Sequence, residues 1–407
     1  PLSLLSKIKN NRNREKSKGN SAINQHTKYS EYDPDNLQNK VTILGNPNLG
    51  DVQVIMIGVR NNARSEKSIE VWVNELRLSE FNEEGGWGAV SDLAINFSDF
   101  GNFNIAGRVE TAGFGGIEDN VQDRNMENKY QLQLSTAFEL GKLFPEKANV
   151  KLPIYFSYSQ DYEKPKYNPL DEDVLLKDAL DALETETEKK ELESKVVTKQ
   201  TTKSVNLTNV KVDYSGKKPR IYDPANFSLS YAYNETENKN PETEHDIMKD
   251  HQASFNYDFS TTPKPWEPFK NSKKLNKPIF RIIKDFNINY MPSRISFSAN
   301  LARNYSEILM RDLTGTMEKT ESFADNTLLS FSKDFTIDRK FDFKYDLTKN
   351  LKFTLATATN CRIDETKYAP VNKEIFPDEY KNWKDTVLNS LKTLGRPLTY
   401  QQMFTAS

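Results

Sequence analysis

Most of the chain alternates between apolar and polar residues, the pattern of β-strands with two different faces. In residues 129–140, KYQLQLSTAFEL, the even positions are apolar or nearly so and the odd positions are polar or small. Successive side chains of a strand point to opposite faces, so this segment predicts one apolar face and one polar face. The same alternation serves a soluble sheet that packs on its own core and a membrane barrel that packs on lipid. The pattern alone therefore leaves the surroundings of the apolar face open.

Similar alternation recurs in about eleven segments from Trp87 onward, most of them about 10–13 residues long. Strands of soluble domains average about 5–6 residues, so these lengths favour a membrane barrel. The predicted connections are short and long in turn, which is typical of outer-membrane barrels. The predicted strands lie at 87–98, 102–112, 129–140, 150–162, 203–214, 225–236, 251–262, 294–305, 329–347, 351–359 and from Leu398 onward, and the longer connections at 113–127, 163–202, 237–250, 306–325 and 361–396.

The two faces of these strands differ in composition. One carries mostly small uncharged residues, which suit a water-filled lumen, and the other carries aliphatic and aromatic residues, which suit lipid. Glu139 is expected at the periplasmic rim, beside the shorter turn that follows its strand. The predicted lumen-facing residues are Asn102, Asn104, Gln131, Gln133, Ser228, Ser230, Ser254, Asn256, Ser296, Ser298 and Asn300. The predicted lipid-facing residues are Leu132, Leu134, Phe138, Ile154, Phe156, Leu229, Tyr231, Phe255, Phe297, Leu301 and Phe343.

The region before the alternating strands predicts two further parts. Residues 1–40 are basic and polar and predict an irregular segment, while residues 41–86 predict a small soluble β-domain. Within that domain, DVQVIMIGVR (51–60) is apolar at nearly every position and is expected to be a strand buried on both faces. The fold class predicted for the whole chain is all-β, with part of a transmembrane β-barrel over residues 87–407.

Three segments interrupt the predicted barrel. The insertions at 163–202 and 361–396 are expected on the extracellular side and contain helical patterns at 171–195 and 377–394. The third is a Pro/Lys-rich periplasmic segment at 263–285, in which Trp266 and Phe269 are possible partner contacts. The simpler interpretation of the third segment is an irregular loop anchored by one buried tryptophan, and a partner-docking site is the more specific but weaker claim.

Composition narrows the function further. With 56 basic and 58 acidic residues the net charge is −2, which argues against nucleic acid as a partner, and 23 Phe and 18 Tyr argue against disorder. The single cysteine, Cys361, has no partner for a disulfide, and the three histidines lack metal-ligand spacing. We find no nucleophile–base pair, no metal motif and no phosphate loop, so we expect no catalytic residues, no cofactor and no enzyme activity. A start at proline without a leader indicates a piece of a longer protein.

Five stretches of the sequence resemble one known family. They read VWVNELRLSEFNEEGGWGA (71–89), TPKPWEPF (262–269), MPSRISFSANLARNYSEILMRDL (291–313), YDLTKNLKFTLATATNCRIDE (345–365) and LGRPLTYQQ (394–402). All five resemble segments of the SprA/Sov family, the outer-membrane translocon of the type IX secretion system, in the same order. The resemblance spans roughly residues 41–407.

The resemblance implies a single-chain barrel of very large strand number, about 36 in the largest known, whose lumen passes folded cargo to the cell surface. It implies a place in the bacterial outer membrane and a role in type IX secretion and in the export of gliding-motility adhesins. The implied partners are the remainder of its own barrel, a PorV-like barrel, a periplasmic plug protein, secreted cargo proteins and the lipid bilayer.

Two other interpretations stay open at this level. One is a different large outer-membrane barrel, such as a TonB-dependent receptor or a lipopolysaccharide-assembly barrel. The other is a soluble surface adhesin built from β-sandwiches, in which the apolar faces pack on each other rather than on lipid.

Overall fold

The structure is a computed structural model that describes residues 2–18, 23, 26–34, 36–75, 77, 84–120, 123–213, 220–272, 278–311, 329–366 and 377–407. Within this part of the chain, no helix is both long and apolar enough to cross a bilayer. The chain divides into two compact units, one of Pro1–Val90, Arg108–Gln131 and Tyr162–Thr198, the other of Ser91–Gly107, Leu132–Asp161 and Lys199–Ser407.

Strands dominate the chain, as predicted. The helices are α1 (Leu2–Ser17), α2 (Leu176–Asp181), α3 (Glu186–Val196), α4 (Arg281–Lys284) and α5 (Pro377–Lys392). The strands are β1 (Tyr29–Tyr32), β2 (Lys40–Ile43), β3 (Gly88–Asn96), β4 (Gly101–Glu110), β5 (Glu127–Glu139), β6 (Val150–Lys151), β7 (Pro153–Pro165), β8 (Tyr167–Asn168), β9 (Asp171–Leu175), β10 (Thr198–Val212), β11 (Phe227–Lys239), β12 (Thr243–Ser260), β13 (Arg294–Met310), β14 (Leu329–Asp346), β15 (Lys352–Arg362) and β16 (Arg396–Ala406).

The main element is a twelve-stranded antiparallel sheet. Its strands lie side by side in chain order from β3 through β4, β5, β7 and β10 to β16, and the short β6 pairs with β10. This order of eleven strands confirms the predicted number and the all-β fold class. The path is open, because β3 and β16 each have one neighbour among the described strands.

Connections alternate between the two ends of the sheet, as they must in an antiparallel meander. One end, the turn end, holds the tight turns at 97–100 and 347–351. The other, the insertion end, holds the connections after β4, β7, β11, β13 and β15, including both predicted insertions. One connection is shorter than predicted: the expected loop at 237–250 is a tight hairpin, because β11 and β12 continue to Lys239 and from Thr243.

The N-terminal segment is helical rather than irregular. In α1, Leu4 and Ile8 are buried against Ile43, Tyr29 and Val41 of the β1–β2 hairpin. The helix continues over basic and polar residues, among which Lys9 pairs with distant carboxylates. Lys9 is 2 % exposed, and its ammonium contacts Asp171 and lies 3.1 Å from Asp173.

The first insertion also differs from its predicted single helix over 171–195. Asp171–Leu175 forms β9, which pairs with β8, and two short helices, α2 and α3, follow. The three acidic residues of β9 are used by their neighbours: Asp171 and Asp173 bind Lys9, and Glu172 accepts from Asn48. Helix α3 begins at a capping box, in which Thr185 and Glu188 bond each other's backbone NH groups.

Residues 52–75 do not form strands, although DVQVIMIGVR (51–60) is predicted to be one within a β-domain at 41–86. This stretch contains no strand, and its apolar side chains are exposed, Met56 to 91 % and Trp72 to 86 %. A strand requires a neighbour for its backbone hydrogen bonds. None of the described segments pairs with residues 52–75, so the prediction of buried strands is wrong for this structure.

The second helical prediction is confirmed. Helix α5 runs over residues 377–392, and the chain leaves it through Gly395 at φ +75°, a conformation that favours glycine. Residues 367–376, which precede it in the predicted insertion, lie outside the described part, as do residues 273–277 of the Pro/Lys-rich segment. The last predicted strand, from Leu398, is present as β16.

Candidate functional site

The candidate functional site is the pair of faces presented by β10 to β15. In an antiparallel pair, directly opposed residues point to the same face, so the register sorts every side chain. One face, here called the apolar face, carries the row Phe259, Ile295, Phe343 and Leu355 next to the turn end. The next three rows continue it with Phe227, Tyr257, Phe297 and Phe341, then Leu229, Phe255, Ala299, Arg339 and Thr359, then Leu207, Tyr231, Ala253, Leu301, Ile337 and Cys361.

The apolar face has a measurable height. From Phe259 to Ala253 it spans six residue steps, about 20 Å at about 3.4 Å per residue. Outer-membrane barrels carry an outward apolar band about 25 Å tall. Several of its side chains are uncovered in this structure, with Leu229 48 % and Phe255 37 % exposed. An apolar surface of this extent on a protein marks a surface that meets lipid or another protein.

Charged residues replace the apolar ones at the next rows toward the insertion end. His251 pairs with Arg303, and Lys249 pairs with Tyr305. Arg303 donates two hydrogen bonds to the carboxylate of Glu365, at 2.7 and 3.2 Å, and that carboxylate also accepts from Trp383 at 2.7 Å. The apolar face therefore ends at a polar border, beyond which strands continue with charged partners.

Helix α5 covers the apolar face at this border. Val387 packs into a buried cluster with Phe335, Ile337, Cys361 and Ile363. Leu301, predicted to face lipid, packs against this cluster, because the helix folds back over the end of the face. The ion pair of Arg303 with Glu365 lies at the same end of the apolar face. The sequence contains the helix pattern but no local signal for where the helix packs.

The opposite face, here called the polar face, carries the predicted lumen-facing residues of these strands. Its rows contain Ser228, Asn256 and Ser298, then Ser230, Ser254 and Asn300, and Ser296 lies in the row nearer the turn end. Strand β14 departs from the small uncharged pattern, since Asp338, Lys340 and Asp342 lie in these rows. Asp338 accepts from Asn360 at 2.6 Å, so part of this charge is hydrogen-bonded within the face. Whether this face lines a lumen stays a prediction.

The predicted residues on the earlier strands follow the same alternation. On β5, Leu132, Leu134 and Phe138 share one face and Gln131 and Gln133 share the other. On β7, Ile154 and Phe156 share one face, and on β4 Asn102 and Asn104 do. A depression of the second unit is lined by polar residues of three neighbouring strands, Asn104, Gln133, Ser135, Ser157 and Ser159, and also by apolar ones such as Leu93, Ile105 and Leu134.

Glu139 lies where the sequence predicts, at the end of β5 and beside the turn end. Its carboxylate accepts from the backbone NH groups of Gly141 at 3.3 Å and Leu152 at 2.7 Å. Both donors belong to the connection between β5 and β7. Glu139 therefore fixes this turn, and its placement at the periplasmic side stays a prediction.

The connection between β12 and β13, residues 261–293, is here called the basal segment, and its described residues, 261–272 and 278–293, lie at the turn end. Trp266 and Ile288 exchange backbone hydrogen bonds of 2.8 and 3.1 Å, and the Trp266 ring lies 5.8 Å from that of Tyr290. The Glu267 carboxylate accepts from Lys270 at 2.5 Å and from Lys349. These two hydrogen bonds hold the pKa of Glu267 below its usual range. Trp266 is 51 % exposed, so the alternative of a loop anchored by a buried tryptophan is wrong.

Both edges of the sheet are accessible. All nine residues of β3 and all eleven residues of β16 are exposed. Such edges present unpaired NH and CO groups, which are templates for further strands.

A family model described as motility related/secretion protein, SprA_N, matches residues 1–180. A search of curated proteins finds no match for the chain. This match over residues 1–180 supports a fragment of a SprA/Sov-family protein, a motility-related secretion protein, and suggests a role at the cell envelope or surface.

Proposed function

We propose that the twelve-stranded sheet is a section of the wall of a large outer-membrane β-barrel that conducts folded proteins to the cell surface. The observation that carries the proposal is the sheet with two unlike faces, one apolar over about 20 Å and the other mostly small and polar. Strands β10 to β14 are 13–18 residues long, more than the about 9–11 residues that cross a bilayer.

The accessible edges support a larger sheet. A barrel has no edges, whereas β3 and β16 are each exposed over their full length. In the proposal both edges pair with strands of the remainder of the barrel. A pore that passes folded protein needs many strands, since barrel diameter grows about linearly with strand number.

The polar face suits passage rather than binding. Ser, Asn and Ala side chains offer few anchors, and β14 adds Asp and Lys of both signs rather than a field of one sign. The chain then acts as a conduit without catalysis or cofactor, and the energy for export comes from other components. A PorV-like barrel, a plug protein and cargo are the partners that the family resemblance adds to this proposal.

A soluble adhesin is the second candidate, and the apolar face discriminates between the two. In a sandwich a second sheet covers that face at about 10 Å. Here protein covers it at the insertion end, where α5 packs on Ile337 and Ile363, and at the first row, where Phe259 is fully buried. The middle rows stay partly uncovered, with Phe227, Leu229 and Phe255 exposed to 40 %, 48 % and 37 %, which favours lipid.

Neighbouring positions of β13 provide the test. In the full chain with all four native tryptophans replaced by Phe, a single tryptophan is introduced as Phe297→Trp or as Ser298→Trp. In vesicles with bromine-labelled acyl chains, we expect quenching of Phe297→Trp and little quenching of Ser298→Trp. Equal quenching at both positions, or none at Phe297→Trp, would contradict the proposal.

A further inference from the structure

The basal segment exposes an unusual number of large apolar side chains. Ile279 and Ile282 are 85 % and 87 % exposed, and Tyr290 is 68 % exposed. Trp266, Phe269, Ile283, Phe286 and Met291 are also exposed, between 42 % and 51 %. None of these side chains belongs to the hydrophobic clusters found in the described residues. The segment therefore presents a mixed aromatic and aliphatic surface to its surroundings.

The same segment is strongly basic. In the sequence of residues 261–290, Lys and Arg occur seven times, at 264, 270, 273, 274, 277, 281 and 284, and Asp and Glu twice, at 267 and 285. The carboxylate of Glu267 is held by Lys270 and Lys349, so it offers little repulsion to an approaching anion. Basic residues next to exposed Trp, Tyr and Ile are the combination found where proteins lie in the interface of a bilayer.

The position of the segment supports that occupant. It connects β12 to β13, and the adjoining residues Phe259 and Ile295 form the first row of the apolar face. If lipid covers this face, the headgroup layer lies at its end, where the basal segment begins. The apolar side chains then reach the boundary of the acyl chains while the lysines meet the phosphates.

We propose that the basal segment is a membrane anchor that binds the interface of a bilayer containing anionic lipid. This inference rests on the proposed function, because the apolar face must be the lipid-facing one. The anchor fixes the depth and tilt of β12 and β13 at the turn end, as aromatic girdles do in membrane proteins. Its contacts are Trp266 and the exposed isoleucines with the acyl boundary, and Lys264 with the headgroups.

The test uses the full chain with Trp72, Trp87 and Trp383 replaced by Phe, so that Trp266 is the reporter. The chain is placed in vesicles of phosphatidylcholine and phosphatidylglycerol with bromines either near the headgroups or near the bilayer centre. We expect bromines near the headgroups to quench the fluorescence of Trp266 about twofold more than bromines at the bilayer centre. This ratio corresponds to a tryptophan that lies in the interface. If iodide quenches Trp266 fully and neither brominated lipid quenches it, the membrane anchor is wrong. The exposed surface would then be a binding site for a protein partner.

A second arm tests the lipid charge. The shallow quenching of Trp266 should fall when phosphatidylglycerol is omitted, and Lys264→Gln should reduce that dependence. Lys340→Gln, on the polar face, is the matched control and should leave it unchanged. Equal quenching with and without the anionic lipid overturns the recognition of charge.

The outcome also separates this proposal from the proposed function. The reporter Phe297→Trp, with Trp266→Phe added, reads the apolar face in the same vesicles. Quenching at Phe297→Trp without quenching at Trp266 rejects the anchor alone. Absence of quenching at both positions rejects the lipid-facing sheet on which the anchor depends.

Discussion

The sheet of β10 to β15 and the N-terminal helix α1 obtain their structures in opposite ways. In the sheet, the alternation along each strand places side chains on two faces. The register then pairs apolar residues mostly with apolar residues of the neighbouring strands. In α1 only the first turns carry apolar residues, and the helix is fixed by Lys9 with carboxylates more than 160 positions away. The local periodicity of the sequence therefore determines the structure of the sheet, and contacts between distant residues determine the position of α1.

The largest expected effect tests the distant pairing. Lys9→Met leaves Asp171 and Asp173 buried without their cation, so we expect a loss of about 3–5 kcal/mol in the unfolding free energy of this unit. Hydrogen exchange of the α1 amides in increasing urea measures it. Lys7→Met, at an exposed position of the same helix, is the control and should change stability by under about 0.5 kcal/mol.

A rescue sharpens the same test. Adding Asp171→Asn and Asp173→Asn to Lys9→Met removes the unpaired charges, so much of the lost stability should return. If Lys7→Met costs as much as Lys9→Met, or the triple variant is no more stable than the single one, the ion cluster does not hold α1.

The second prediction concerns the faces of the sheet. Phe297→Arg places a charge on the apolar face and should cost about 2–4 kcal/mol if that position lies deep in a bilayer. Ser298→Arg, one residue along on the polar face, should cost much less. Unfolding by denaturant in vesicles measures both, and a larger loss for Ser298→Arg would reverse the assignment of the faces.

A third prediction compares the part of the apolar face beneath α5 with the part at the turn end. Ile337→Val removes a methylene from the cluster beneath α5 and should cost about 1 kcal/mol, with faster amide exchange in α5. Ile295→Val, in the row nearest the turn end, should leave the exchange of α5 unchanged. Equal effects of the two substitutions on α5 would show that the cluster does not hold the helix.

The smallest effect is purely local. Thr185→Ala removes one half of the capping box of α3 and should cost about 0.5–1 kcal/mol, the lower range for caps, because the helix end is exposed. Exchange of the first-turn amides of α3 measures it, with Glu184→Ala as the neighbouring control. If the exchange protection of these amides is unchanged in Thr185→Ala, the cap does not stabilise α3. Distant contacts would then stabilise this helix, as they stabilise α1.

Elements with a periodic signal could be predicted from the amino-acid sequence. Alternation predicted eleven long strands, their two faces and the turn at Glu139, because side-chain direction follows residue parity wherever a strand forms. The helical pattern at 377–394 likewise predicted α5, which runs over Pro377–Lys392.

Elements with weak local signals depend on contacts between distant parts of the chain, which the fold alone reveals. Asp171 and Asp173 fall in the helical pattern predicted at 171–195, yet they lie in β9 and neutralise Lys9. DVQVIMIGVR reads as a buried strand, yet it has no described neighbour to pair with. The site of α5 on Ile337, and of Arg303 with Glu365, likewise required the fold. A strand, a buried ion pair and a docked helix each depend on a partner that the local sequence does not contain, which is why periodicity could not supply them.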